Sequence, residues 1–147
     1  MQMPDLEKSD VIKNLLSTII NISGRKTNKG HAISTMDSLI KKLKTRFDFL
    51  KHIEIKDTRY SESEDPVSVM SDINAVDSSE VGKAINEIIT TMDRSLGKNA
   101  GHFFIKEIQN TLGDDYNSSI KNMGVDLGLL QLEREVEDWE KITTQKK

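Results

Sequence analysis

Two histidines, His31 and His102, each follow a glycine and stand ahead of an apolar helical pattern. Paired imidazoles can bind a metal ion or relay protons, so these positions are the first candidates for chemistry. A stable zinc site needs three or four ligands, and the chain has no cysteine and no HxxxH, HxH or HExxH spacing. The histidines therefore lack the further ligands that a metal site requires, and we expect no metal ion or cofactor.

Basic side chains cluster in the loop and helix around His31. They could contact the phosphates of a nucleic acid, or an anion at the start of the following helix. The chain has no GxxxxGK[ST] phosphate loop and no aromatic side chains between these cations, and its loop is long for a helix-turn-helix. Nucleic-acid binding through this face therefore remains an alternative function. The candidate contacts are Arg25, Lys26, Lys29, Lys41, Lys42, Lys44 and Arg46.

The last helical segment carries an apolar stripe. Leu129, Leu132, Val136 and Trp139 follow each other at intervals of 3, 4 and 3 residues, and Ile142 continues the series. This spacing is typical of a helix that packs against another helix. The remaining positions are mostly charged, so the stripe must be covered by the protein's own core or by another chain. We predict that these four residues bind a partner helix or a second copy in a homodimer.

The elements that would position these residues are mainly helical. Apolar residues recur at three- and four-residue spacing along most of the chain, and glycines mark several helix ends. Alternating apolar and polar residues on both sides of Pro66 predict a small β-hairpin. The predicted helices span 5–23, 31–47, 77–97, 103–113, 114–123 and 127–144, and the predicted hairpin pairs 52–60 with 67–71.

The order of these elements suggests an internal duplication. Residues 11–55 and 81–125 each begin with a valine, continue through an Ile-rich and Leu-rich helix, and enter a second helix through Gly-His. A repeated unit of this kind buries its apolar face against its copy, so we predict a pseudo-two-fold core. Residues 56–80 would form the hairpin and linker between the repeats. Such an interface could also hold a small ligand or a metal ion, between His31 and His102.

Composition bounds the remaining possibilities. The 147 residues fit one domain spanning 1–147, large enough to bury a core without disulfides. No run approaches the ~18 apolar residues of a membrane span, and Met1–Asp10 lacks the apolar centre of a signal peptide. We therefore expect a cytoplasmic protein without membrane contact. Charge is uneven, because residues 1–60 carry a net charge of +5 and residues 61–147 a net charge of −8.

The sequence thus predicts a mainly α-helical domain with a minor β-hairpin. We expect a non-enzymatic interaction or regulatory module that self-associates, because the C-terminal stripe needs a cover and no nucleophile–base motif is visible. Catalytic groups can be dispersed along a chain, so an enzyme or a small-ligand sensor remains open as a further alternative.

Overall fold

A computed structural model describes residues 7–57, 65–97 and 102–145, with the backbone alone at 138 and 140–145. The described residues form a mainly helical fold with a two-stranded antiparallel hairpin, in agreement with the predicted class. One cluster of buried aliphatic and aromatic side chains forms the core. The elements are α1 (Lys8–Lys26), α2 (Lys29–Leu43), β1 (Ile53–Ile55), β2 (Val67–Val69), α3 (Ser78–Ser95), α4 (Phe104–Leu112), α5 (Asp114–Asn122) and α6 (Leu127–Gln145).

Helix α1 lies at the centre of the core and packs against α2, α4 and β2. Its apolar residues recur on one wide face and are almost fully buried, and each such aliphatic side chain stabilises the fold by about 1.5–3 kcal/mol. The N-terminus of α1 is capped across the fold, because Asn74 Oδ1 accepts the backbone N–H of Ser9 at 2.8 Å. The buried residues are Val11, Ile12, Leu15, Leu16, Ile19, Ile20 and Ile22.

Helix α2 begins with a local cap, in which Asn28 Oδ1 accepts the N–H of His31 at 2.8 Å. It ends at Leu43, earlier than the predicted Phe47, and a 3-10 helix over Asp48–His52 leads into β1. The hairpin is confirmed but shorter than predicted, with Ile53 opposite Val69 and Ile55 opposite Val67. Residues 58–64, which were predicted to hold the end of the first strand and the turn, lie outside the described part.

Glycines set the turns between the later helices. Gly97, Gly113 and Gly124 have φ angles of 79°, 83° and 98°, a region that other residues rarely adopt, so each ends a helix as the sequence indicates. Gly82 has a different role within α3. A Cβ atom at this position would lie 1.9 Å from the carbonyl oxygen of Met123. The segment that leads from α5 to α6 can therefore pack directly on the α3 backbone.

The described residues give no support for the predicted duplication of 11–55 and 81–125. The first segment contains an uninterrupted second helix of 15 residues, whereas Gly113 divides the corresponding helix into two helices of nine residues each. The first segment also ends in β1, whereas its proposed counterpart ends in the turn around Gly124. Similar helix–glycine–helix patterns therefore arise here without a repeated packing unit, and the pseudo-two-fold core is not observed.

Across the described residues, no helix combines the length and apolar character needed to cross a membrane.

Candidate functional site

Helix α6 contacts the rest of the protein mainly through α4. The side of α6 that faces the core begins with Leu127 and Leu130 and continues with Gln131 and Arg134. These positions follow the three- and four-residue spacing of one helix face. The helix is therefore anchored by two leucines near its start and by two polar side chains farther along.

Gln131 joins α6 to the start of α4, and only 6 % of its surface is exposed. Its Oε1 atom accepts the backbone N–H of Lys106 at 3.1 Å, and its Nε2 atom donates to the carbonyl oxygen of His102 at 2.8 Å. Lys106 is the third residue of α4, and the N–H groups of a first helical turn have no partner within the helix. Gln131 thus acts as an N-terminal cap of α4 from a distant part of the chain.

Arg134 joins α6 to the C-terminal end of α3. Its Nη1 atom donates to Asp93 Oδ2, and its Nη2 atom donates to the carbonyl oxygen of Gly97 at 3.0 Å. The two side chains of this ion pair are 10 % and 6 % exposed, so the charges lie within the protein. The carbonyl group of Gly97 lies just beyond the C-terminal end of α3, and the guanidinium group supplies its hydrogen-bond donor.

The apolar stripe of α6 lies on the opposite side of the helix from these anchors. Leu129, Leu132, Val136 and Trp139 are 52 %, 55 %, 47 % and 66 % exposed. The protein's own core therefore leaves the predicted stripe open to solvent. Contiguous exposed apolar side chains of this kind are uncommon on a monomer surface. The side chain of Ile142, which would continue the stripe, lies outside the described residues.

Carboxylates border the stripe on both sides. With about 3.6 residues per turn, Glu135 flanks it on one side, and Glu133 and Glu137 lie on the other. Two adjoining clefts of about 390 and 100 Å³ between α3 and α6 share Glu133 in their lining, and Glu137 lines the smaller one. These clefts form a shallow groove beside the stripe, which we call the α3–α6 groove. Its other carboxylates are Glu87, Asp93 and Asp126, and its two cations are Arg94 and Arg134.

The basic residues predicted as nucleic-acid contacts are placed around α2 and the ends of its neighbours. Arg25, Lys41, Lys42, Lys44 and Arg46 are exposed, whereas Lys26 and Lys29 are partly buried. Lys26, Lys41 and Arg46 lie beside carboxylates, which lowers the positive potential of this face. The ion pairs are Lys26–Glu107 at 2.8 Å, Lys41–Asp37 at 2.9 Å and Arg46–Glu87 at 3.5 Å.

The two histidines occupy different surroundings. His31 is exposed in the first turn of α2, and His102 precedes α4 with its ring centre 4.5 Å from that of Phe103. Within the described ranges, no group of three or more His, Cys, Asp or Glu side chains could hold a metal ion. Most of the glycine-containing loop before His102 lies outside the described residues, which omit 98–101.

A polar cleft of about 590 Å³ lies where α4, α5 and the start of α6 meet. Amide side chains of Gln109, Asn110 and Asn117 line it together with Asp114 and Lys121. Asn117 Nδ2 donates to the carbonyl oxygen of Gln109 at 2.7 Å, so this amide has a structural role between α4 and α5. The lining residues of this cleft include no histidine, and Ser118 and Asp126 complete its polar side chains.

Sequence reasoning identified the stripe but missed the residues that hold α6 in place. Gln131, Arg134 and Asp93 are polar residues within amphipathic helices, where such side chains are usually exposed. The available signal was the position of Gln131 and Arg134 on the same face as Leu127 and Leu130. Either this face or the stripe could pack against the core, and the sequence pattern alone favours burial of the stripe.

Comparison of the chain with protein-family models, curated proteins and solved structures found no match.

Proposed function

We propose that this protein is a non-enzymatic interaction module that binds a helix of another chain along the apolar stripe of α6. The observation that carries the proposal is the exposure of four consecutive stripe residues on a helix whose opposite side is fixed to the core. An amphipathic helix that docks on such a face would cover the apolar side chains from water.

The rigid attachment of α6 supports this function. Gln131 and Arg134 satisfy backbone groups at the ends of α4 and α3, so rotation of the stripe toward the core would break these hydrogen bonds. The stripe is therefore presented in a fixed orientation. Binding would therefore cost little conformational entropy at this surface, and preorganisation of this kind favours affinity.

The chain contains one tryptophan, which provides a direct binding test. A synthetic amphipathic helix without tryptophan, with leucines at alternating three- and four-residue spacing and glutamines beside them, serves as the probe. We expect its binding to shift the emission of Trp139 to shorter wavelength as the indole leaves water. The double variant Leu132→Ser/Val136→Ser should weaken this binding at least about tenfold, because two apolar contacts are lost.

The control is Met70→Ser, which removes another exposed apolar side chain, 57 % exposed and located after β2. This variant should bind the probe as the unchanged protein does. Constant Trp139 emission at high probe concentration, together with a monomeric mass by light scattering at all protein concentrations, would contradict the proposed function.

A further inference from the structure

We propose that the partner is a basic amphipathic helix, with lysines or arginines beside its apolar face. This inference rests on the proposed function and adds the chemistry of the partner. Apolar side chains supply the central contact, and carboxylates on both sides of the stripe favour cations at the edges of the partner helix. In the helix-in-groove mode of recognition, a partner of this kind places its apolar residues on the stripe.

The groove side of the stripe carries the larger negative charge. The α3–α6 groove is lined by five carboxylates and two guanidinium groups, and one Asp93–Arg134 pair is already formed within it. The guanidinium group of Arg46 lies 3.5 Å from Glu87 and partly neutralises the negative charge of this carboxylate. Glu133 and Glu137 are the exposed groove carboxylates on α6 that lie beside the stripe. Cationic side chains of a docked helix that reach toward the groove would lie near these two carboxylates.

A second copy of the chain is a poorer occupant of the same surface. In an antiparallel pair of α6 helices, glutamates would flank the contact on both partners, and like charges at these positions destabilise helix pairing. The basic half of a second copy, residues 1–60, does not offer a matching apolar stripe, because the exposed large apolar side chains among the described residues all lie after position 60. Charge complementarity therefore favours a basic helix from a different protein over the homodimer that the sequence predicts.

A peptide series separates these possibilities. Three tryptophan-free helices of about 20 residues share the same leucine spacing and carry lysine, glutamine or glutamate at the flanking positions. We expect the lysine peptide to bind at least about tenfold more tightly than the glutamine peptide, the effect of two or three exposed charge pairs. The advantage should shrink as salt is raised from about 0.05 to about 0.5 M. Trp139 emission reports binding for all three peptides.

Two charge variants locate the effect. Glu133→Gln/Glu137→Gln should remove most of the advantage of the lysine peptide and leave the glutamine peptide unaffected. The control Glu54→Gln/Asp72→Asn neutralises two exposed carboxylates on β1 and on the 3-10 helix before α3, and it should preserve the advantage. This control distinguishes local complementarity from attraction to the net negative charge of the whole protein.

The possible outcomes distinguish failure of the inference from failure of the proposed function. Equal affinity for the lysine and glutamine peptides, or equal losses in the two charge variants, overturns the inference and leaves the proposed function standing. A dimer that leaves Trp139 inaccessible to every peptide overturns the inference in favour of a second copy. If no peptide binds and the protein stays monomeric, the proposed function fails together with the inference.

Discussion

Helices α1 and α6 have the same length, 19 residues, and each carries an apolar face, yet they present these faces in opposite directions. In α1 the apolar residues lie in the core, and Leu15 has no exposed surface. In α6 the apolar residues lie outside, and Leu132 is 55 % exposed. An amphipathic pattern therefore establishes that a helix has an apolar face but does not establish what covers that face.

Polar contacts explain the orientation of α6. Gln131 and Arg134 bind backbone groups at the start of α4 and beyond the end of α3, which would otherwise need water or another cap. The two Gln131 contacts are partly buried, and leaving buried backbone groups without partners costs about 1–3 kcal/mol each. The first turn of α1 is capped by Asn74, a residue from a distant part of the chain. The apolar face of α1 therefore packs into the core.

The largest expected effect comes from equal truncations in the two helices. Leu15→Ala should lower the free energy of unfolding by about 2–5 kcal/mol, because it opens a cavity in the core. Leu132→Ala should change it by no more than about 0.5 kcal/mol, since the side chain is half exposed. Urea unfolding followed by circular dichroism measures both values. Equal losses would mean that the stripe is covered within the monomer and that the two helices do not differ.

The attachment of α6 is tested next. Arg134→Gln removes the charge-assisted hydrogen bonds to Asp93 and Gly97, so α6 should lose about 1.5–3 kcal/mol of docking free energy. Amide hydrogen exchange should accelerate in α6 and at the end of α3, while the amides of α1 keep their protection. Arg25→Gln is the matched control at an exposed position of α1. Unchanged exchange in α6 would show that Arg134 does not anchor the helix.

The close packing of α3 against the segment before α6 is tested through two glycines. Gly82→Ala places a Cβ atom on the Met123 carbonyl oxygen, so we expect a loss of about 1–3 kcal/mol of stability. Gly128→Ala in α6 meets only ordinary contacts, the nearest at 3.4 Å, and should gain up to about 1 kcal/mol from helix propensity. Thermal unfolding measures the pair. A neutral Gly82→Ala would contradict the described approach of α5 and α6 to α3.

The smallest effect concerns the caps of α1 and α2. Asn74→Ala should cost about 1 kcal/mol, because Ser9 loses the acceptor of its backbone N–H. Asn28→Ala should cost a similar amount through the local cap of His31. Chemical unfolding of both variants compares the cap from across the fold with the local one. If Asn74→Ala is neutral while Asn28→Ala destabilises, α1 does not depend on the distant cap.

This contrast also shows how far the sequence predicts the fold. Helix ends at Gly97, Gly113 and Gly124 follow from local backbone conformation, and the hairpin follows from alternation around Ile53 and Val67. Contacts between distant residues have no such local signal. The bonds from Asn74 to Ser9 and from Gln131 to Lys106 join residues 65 and 25 positions apart.

The candidate site also combines a feature that the sequence predicts with a feature that it does not predict. The sequence predicts the spacing of the stripe, because this spacing depends only on helix periodicity. Its exposure depends on whether Gln131 and Arg134 find partners in α3 and α4, which periodicity does not encode. The predicted duplication finds no support in the described residues for a related reason: matching helix patterns do not carry matching tertiary contacts, and Gly113 separates two helices in the second segment.

Thiol labelling tests the outward orientation of the stripe most directly, because the chain has no native cysteine. Leu132→Cys and Leu127→Cys place single thiols on opposite sides of α6, at residues that are 55 % and 3 % exposed. At low protein concentration, the thiol at position 132 should react with an alkylating reagent at the rate of an unprotected thiol. The thiol at position 127 should react only when α6 detaches or the protein unfolds. Protection at position 132 together with rapid reaction at position 127 would contradict the account, because it would mean that the stripe faces the core.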